Sequence, residues 1–282
     1  MLPQVTITLT RFAEPDALVA EAIQHALAQT GVGGEVLFLE QKQDSPLTED
    51  YFAPGLLKLR IVRQRLAGLS AARNLALAEA QHPLVLFLDA DAMAAPDWAA
   101  QLAGALIDPA VALAGSRIVP RWPGAPPVFT RASVLRDQYS LLDLGPETRS
   151  YHRVVGAGFG VDMGKLPSAF RFDETLGRRQ GLLFGGEESD FCARAAALGH
   201  RIFYVGSACV EHCIAADRVR WRWILKRMVY AGHGRARVGG APAPSGARTL
   251  GDWLLLPIYL PPYAWGWLWG RFSAPKPATP AD

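Results

Sequence analysis

Residues 83–98, PLVLFLDADAMAAPDW, constrain the fold more than any other stretch of the chain. Leu84, Val85, Leu86, Phe87 and Leu88 are apolar without alternation, which suits a strand covered on both faces, as in a parallel sheet between helix layers. The run ends in two acids, Asp89 and Asp91, one residue apart. In open sheets of this kind ligands bind beyond the carboxyl ends of the strands, which is where these side chains would emerge. Two carboxylates there can offer oxygen to a hard divalent cation whose other positions are filled by water and a nucleotide diphosphate. A strand-end Asp can also cap the following helix, but Pro96 and Asp97 already mark that start. Acid pairs of this spacing arise by chance, so the reading requires a second, independent cluster.

The flanking pattern agrees with such a sheet. Strands are expected over Val5 to Leu9, Glu35 to Leu39 and Leu59 to Val62. Helices are expected over Asp16 to Gln29, stopped by Gly31, and over Ser70 to Ala80, with Ser70 as N-cap and Arg73 and Asn74 in the first turns. This alternation predicts an α/β chain with a mainly parallel, Rossmann-like sheet flanked by helices. A chain of 282 residues, 50% of them hydrophobic, can bury a large core as one domain or two packed lobes. After about Arg117 the pattern loosens around PRWPGAPP. We therefore expect one half of the catalytic unit over residues 1–116, a second over 117–216, a distinct extension over 217–272 and a disordered tail over 273–282.

Composition narrows the class. A formal charge of +3 is too small to imply a nucleic-acid partner. Cys192, Cys209 and Cys213 are odd in number and lack a disulfide spacing, which favours a reducing, cytoplasmic setting. Cys209, His212 and Cys213 lack the second pair of ligands that a zinc site needs. The opening MLPQVTITLTRF is too polar for a signal peptide.

The second cluster is GGEESDFCARAAALGH, Gly185 to His200: a glycine turn, a short helix and a stop at Gly199. Acids at a helix start favour the macrodipole, and that alone accounts for many such sequences. Helical geometry goes further, placing Glu188 on the same face as Phe191, Cys192, Ala195 and Leu198, with Glu187 at its edge and Asp190 paired outward with Arg194. A partly desolvated carboxylate has a raised pKa and suits general-base work.

Together the two segments resemble the signature motifs of inverting family 2 glycosyltransferases of the GT-A fold. RQRLAGLSAARNLALAEAQHPLVLFLDADAMAAPDW, from Arg63 to Trp98, is similar to the first; GGEESDFCARAAALGHRIFYVGSACVEH, from Gly185 to His212, is similar to the second. The resemblance implies transfer of a sugar, of hexosyltransferase type, from a nucleotide-sugar donor to a hydroxyl acceptor with inversion, assisted by manganese or magnesium. It implies that Asp89 lies at the donor ribose, that Asp91 holds the metal, and that Arg73 lies near the nucleotide. Glu188 falls where the family has the Asp that acts as base, one methylene longer, with Glu187 in reserve. His212, after the strand Ile202 to Val205, matches a histidine that in some relatives completes the metal site, and a structural hydrogen-bonding role is the alternative. Thr10 and Arg11 close the first strand where base or ribose should lie. At the second strand FLEQKQDS departs from the usual acidic turn, leaving Glu40 as the acid for the base. GAGFG, Gly156 to Gly160, lacks the last glycine of a dinucleotide fingerprint and matches a donor-sugar and acceptor loop. FDE, Phe172 to Glu174, matches a structural element.

Beyond His212 the chain becomes basic. Trp221, Ile224, Leu225 and Met228 recur at helical spacing, with Arg218, Arg222 and Lys226 in a cationic stripe. The helix suits a membrane surface or, alternatively, packs on the catalytic unit with cations near donor phosphates. WLLLPIYLPPYAWGWLWGRF, Trp253 to Phe272, is apolar enough to approach a bilayer, while Pro257, Pro261 and Pro262 argue against one regular spanning helix. An interfacial or re-entrant anchor is expected, on the inner face of the cell membrane, with a lipid-linked or carbohydrate acceptor in polysaccharide or glycolipid synthesis. Two rivals remain. A non-catalytic nucleotide-binding subunit would keep the fold without turnover. A sugar nucleotidyltransferase would carry a Gly-rich activation loop after the first strand, which LTRFAEPDA does not offer.

Overall fold

The computed structural model describes residues 2–53, 55–65, 68–179, 182–237, 239 and 249–273. Strands β1 (Gln4–Thr10), β2 (Gly33–Glu40), β3 (Lys58–Arg63), β4 (Leu84–Asp89), β5 (Ala92–Ala94), β6 (Val111–Arg121), β7 (Arg149–Tyr151), β8 (Gly158–Asp162) and β9 (Arg201–Cys213) share one sheet. Helices α1 (Asp16–Leu27), α2 (Leu69–Glu79), α3 (Trp98–Ala105), α4 (Ser133–Arg136), α5 (Glu187–Ala197), α6 (Trp221–Arg237) and α7 (Leu250–Ser273) accompany it.

The sheet order is β3-β2-β1-β4-β8-β6-β9-β5, with β7 also paired to β9. The first four strands are parallel, in a register that brings Thr10 beside Asp89 and Glu40 beside Arg63. Their carboxyl ends therefore form one edge. Strand β4 alternates between two cores as a doubly covered strand must: Leu86 and Leu88 pack on one face with Ile7, Val36 and Trp98, and Val85 and Phe87 on the other with Phe159, Phe172 and Phe191. Phe87 stacks on Phe159 at 4.8 Å, and Phe172 on Phe191 at 4.2 Å.

Several expectations change in detail. Gly68, not Ser70, holds the cap position of α2; Ser70 lies inside the first turn and donates its hydroxyl to the Leu176 carbonyl, 2.8 Å away. His212 does not follow a short strand but lies near the end of the long β9, paired with Ala92 of β5. Within GAGFG, Gly158 to Gly160 belong to β8, paired antiparallel with β4, so only the Gly156 end is a loop. The strands after Arg117 extend the same sheet. Helix α7 runs unbroken through Pro257, Pro261 and Pro262, yet among the described residues no helix is long and apolar enough to cross a membrane. Residues 274–282, where most of the expected tail falls, lie outside the described residues.

Candidate active site

A cleft of about 1040 Å³ opens over the carboxyl ends of the parallel strands. Thr10 ends β1 in its wall, Asp89 ends β4, Arg73 comes from α2, and Glu187 and Glu188 from the first turn of α5. Sequence distance is closed by topology: the DAD turn runs straight into β5, whose pairing with the end of β9 draws His212 against Asp91.

Asp91 and His212 lie just beneath the lining, with Asp89 opening to the cleft. Ligand atoms of these three side chains all fall within 4.8 Å of one another. His212 Nε2 is 3.2 Å from Asp91 Oδ1, and its Nδ1 bonds with the Tyr139 carbonyl at 2.7 Å, so both ring nitrogens are engaged. The second contact fixes the ring, as a carbonyl commonly does for a metal-ligating histidine. Burial works against ionised Asp91, but His212 and Arg218 hold it down at about 2. Burial, together with the charge of Asp91, pushes Asp89 up to about 6. Two carboxylates and an imidazole suit a divalent ion that keeps positions for water and phosphate oxygen. Among the described residues this is the one such group, and Cys209 and Cys213 take no part in it.

Across the cleft, Arg73 is the hub. Its guanidinium lies 3.0 Å from Glu188 Oε1 and 3.4 Å from Glu187 Oε1, and its face is set by Phe159 and Phe172, each with its ring centre 5.4 Å away. Burial opposes this cation, but Glu188, Glu187 and Asp89 keep it charged. Contrary to the raised pKa expected from desolvation, Glu188 is held below the usual carboxylate range, because although burial works against its charge, Arg73 outweighs it. Glu187 shows the opposite: burial and the neighbouring Glu188 charge push it up to about 7, and its Oε2 has no hydrogen-bond partner. Side-chain exposure is 18% for Glu188 and 3% for Glu187, so Glu188 has the freer access to the cleft. A Cβ on Gly156 would overlap Glu188 Oε1, so only glycine lets the loop pass this close. Asp190 pairs outward with Arg194 at 2.8 Å, as the helical spacing predicts.

Arg11 and Glu40 sit deeper than the sequence suggests. Arg11 binds Asp16 at 2.5 Å and the fully buried Glu40 at 3.1 Å, and Glu40 also accepts the Lys42 amide. Neither lines the cleft, whereas their neighbours Thr10, Gln41 and Lys42 do.

Three cations on the cleft wall escape a motif reading. Arg178 precedes α5, while Arg218 and Arg227 belong to the basic segment whose sequence suits either a membrane surface or donor phosphates. Arg218 Nη1 reaches Asp91 at 3.5 Å, and Arg227 Nη1 donates to the Leu183 carbonyl at 2.9 Å. Burial and the nearby Arg178 lower Arg227 to about 10, and its buried Nε has no acceptor. A guanidinium desolvated beside other cations is costly alone and is suited to an anion with several oxygens. The signal in the sequence was the absence of acids around them, which does not say whether arginines face lipid or a phosphate.

Comparison with known proteins fits this geometry. The glycosyl transferase family 2 model matches residues 10–155, and the chain belongs to that family. A pre-mycofactocin glycosyltransferase of Mycobacterium tuberculosis is 30% identical over 226 residues, covering 77% of this chain. The chain matches only 43% of that relative's length. Among solved structures, a mannosyltransferase of Pyrobaculum calidifontis in complex with GDP-Man and Mn2+ aligns with a TM-score of 0.62 at 21% identity, over 96% of this chain and 72% of the other. GalNAc-T7 with UDP, GalNAc and Mn2+ aligns at 0.59 and 14% identity, over 96% and 57%. These likenesses establish the GT-A fold.

Proposed function

We propose that the chain transfers a sugar from a nucleoside-diphosphate donor to an acceptor hydroxyl by a single in-line displacement that inverts the anomeric centre. The observation carrying this reading is that the Arg73–Glu188 pair and the Asp89–Asp91–His212 group converge on one cleft whose wall carries Arg178, Arg218 and Arg227. Glu188 takes the proton as the acceptor oxygen bonds to the anomeric carbon, and the bond to the diphosphate breaks with its electron pair leaving on phosphate. Arg73 keeps Glu188 ionised and aimed. Arg178, Arg218 and Arg227 face the charge that develops on the leaving diphosphate. Asp89, Asp91 and His212 would hold manganese or magnesium, which when bound neutralises diphosphate oxygens. Thr10 meets the nucleoside, while Arg11 and Glu40 brace the strand ends beneath it. Residues 1–116 carry most of the donor contacts and 117–216 the acceptor base, with His212 and Arg178 reaching from the second part to the diphosphate.

The acceptor is proposed to be carbohydrate or lipid-linked, used on the cytoplasmic face of a membrane. Glu188→Gln should retain donor binding and lose at least about a hundredfold in transfer rate, the usual contribution of a general base. Normal turnover in Glu188→Gln with a dead Glu187→Gln would move the base to Glu187, and transfer by neither wild type nor variants with any nucleotide sugar would favour a non-catalytic subunit.

A further inference from the structure

The outward face of α7 is apolar from end to end. At about 100° per residue, Leu250, Leu254, Ile258, Trp265, Leu268 and Phe272 fall in one stripe, and all are exposed, Leu254 at 69% and Phe272 at 82%. Trp253 and Trp269 edge the same face and are also exposed. The buried face carries instead Asp252, Tyr259, Tyr263, Gly266 and Gly270. A helix between a protein core and water has the reverse arrangement. Bulky apolar side chains outward with small and polar ones inward is the pattern of a helix whose outer medium is itself apolar.

The contact with α6 points the same way. Gly266 and Gly270 are four residues apart, and a Cβ on Gly266 would overlap the Val229 carbonyl, one on Gly232 the Tyr263 carbonyl. Backbones meeting through small residues at this spacing are how helices associate in lipid, where apolar burial no longer drives them together. Charge completes the surface. Arg220, Arg222 and Arg235 are exposed on or beside α6 outside the cleft, and no acid occurs from Trp221 to Arg237. Arg271 is the sole charge on the exposed face of α7 and sits at its edge.

We propose that the outer face of α7 docks in the plane of a lipid bilayer bearing anionic headgroups. Its stripe enters the acyl boundary and the cations of α6 meet lipid phosphate. In-plane docking agrees with a helix about 36 Å long at 1.5 Å per residue that is not apolar enough to cross. It also puts the cleft beside the membrane, because α6 contributes Arg227 to the cleft wall while packing along α7. This deepens the membrane-surface part of the proposed function and rests on it only for the choice of a lipid-linked acceptor.

The test is co-sedimentation of the full chain with vesicles of phosphatidylcholine alone or mixed with phosphatidylglycerol, without donor, so that its outcome is independent of transfer. Wild type should sediment with the anionic vesicles and be released as salt is raised. The double variant Leu254→Glu/Trp265→Glu should partition at least about tenfold more weakly with an unchanged melting midpoint, since both positions are exposed. Wild type remaining in the supernatant with both vesicle types would overturn the proposal. So would a wild-type dimer that Leu254→Glu dissolves while vesicles bind neither form, which would assign the face to a second copy of the chain.

Discussion

Glu187 and Glu188 are neighbours in one helical turn with opposite charge behaviour, and Arg73 is the cause. It binds Glu188 more closely, so one carboxylate is held ionised while the other, almost fully buried in the cleft wall, is pushed towards neutrality. The consequence for stability has a definite sign. A carboxyl raised to about 7 contributes stability that is full below its unfolded value near 4.5 and is lost as pH rises through 7. Glu188, held low, contributes stability that is lost only as pH falls through its depressed value. Glu187→Gln removes the first effect alone. It should melt with wild type at about pH 4 and above it at about pH 8, as followed by circular dichroism; an equal or lower midpoint at the higher pH would contradict the protonation of Glu187. The helical wheel puts Glu188 on the inward face with Glu187 at its edge, whereas both acids line the cleft and Glu187 is the more deeply buried. Their unequal charge was not legible there either, since it depends on Arg73, more than a hundred residues earlier.

The elements that carry these residues are tied by side chains bonding to backbone. Asn74 of α2 donates to the Phe172 carbonyl at 3.0 Å and accepts the Phe172 amide at 2.8 Å, which fixes Phe172 between Arg73 and Phe191. The ARN and FDE motifs are thus two halves of one contact that linear spacing could not display. Likewise the DAD turn was readable as a site, but its histidine partner depends on the β5–β9 pairing. A three-residue strand such as β5 leaves little periodic signal. At α7 the start is fixed by Thr249 and Asp252: Asp252 Oδ2 accepts the Thr249 amide at 2.9 Å, and Thr249 Oγ1 bonds the Asp252 amide at 3.2 Å. The fully buried Asp252 also accepts from Ser133 at 2.7 Å and from the Val134 amide at 3.0 Å, joining α7 to α4. Asp252→Ala removes the acceptor of the buried Val134 amide and of the part-buried Ser133 and Thr249 donors and should cost about 2–4 kcal/mol in a urea titration. A loss under about 0.5 kcal/mol, typical of surface sites, would show that α7 is not docked there.

At the scale of the molecule, one sheet carries both motifs, and its parallel half delivers Thr10 and Asp89 to a common edge. That half was legible because strands buried on both faces are continuous apolar runs. The other half was harder to read: β6, β8 and β9 are joined across long separations by antiparallel and parallel pairs alike, so PRWPGAPP looked like a boundary although the sheet continues. The basic C-terminal segment serves two surfaces. Arg218, Lys226 and Arg227 line the cleft, while Arg220 and Arg222 are exposed away from it. A cationic stripe drawn on a helical wheel could not separate them, because the packing of α6 against α7 and the 137–139 turn decides which way each points.

The most direct test of the account is a thermal-shift screen of the purified chain against UDP, GDP, CDP and dTDP, each with and without manganese or magnesium. A ligand that binds only the folded state adds about 2.7 kcal/mol at one hundred times its dissociation constant. The account predicts that one diphosphate raises the midpoint, that the rise requires the divalent ion, and that Asp91→Ala abolishes the rise while still unfolding in one cooperative transition without ligand. No rise with any diphosphate and metal, or an undiminished rise in Asp91→Ala, would contradict the assignment of this cleft to a nucleotide-sugar donor held through a metal at Asp89, Asp91 and His212.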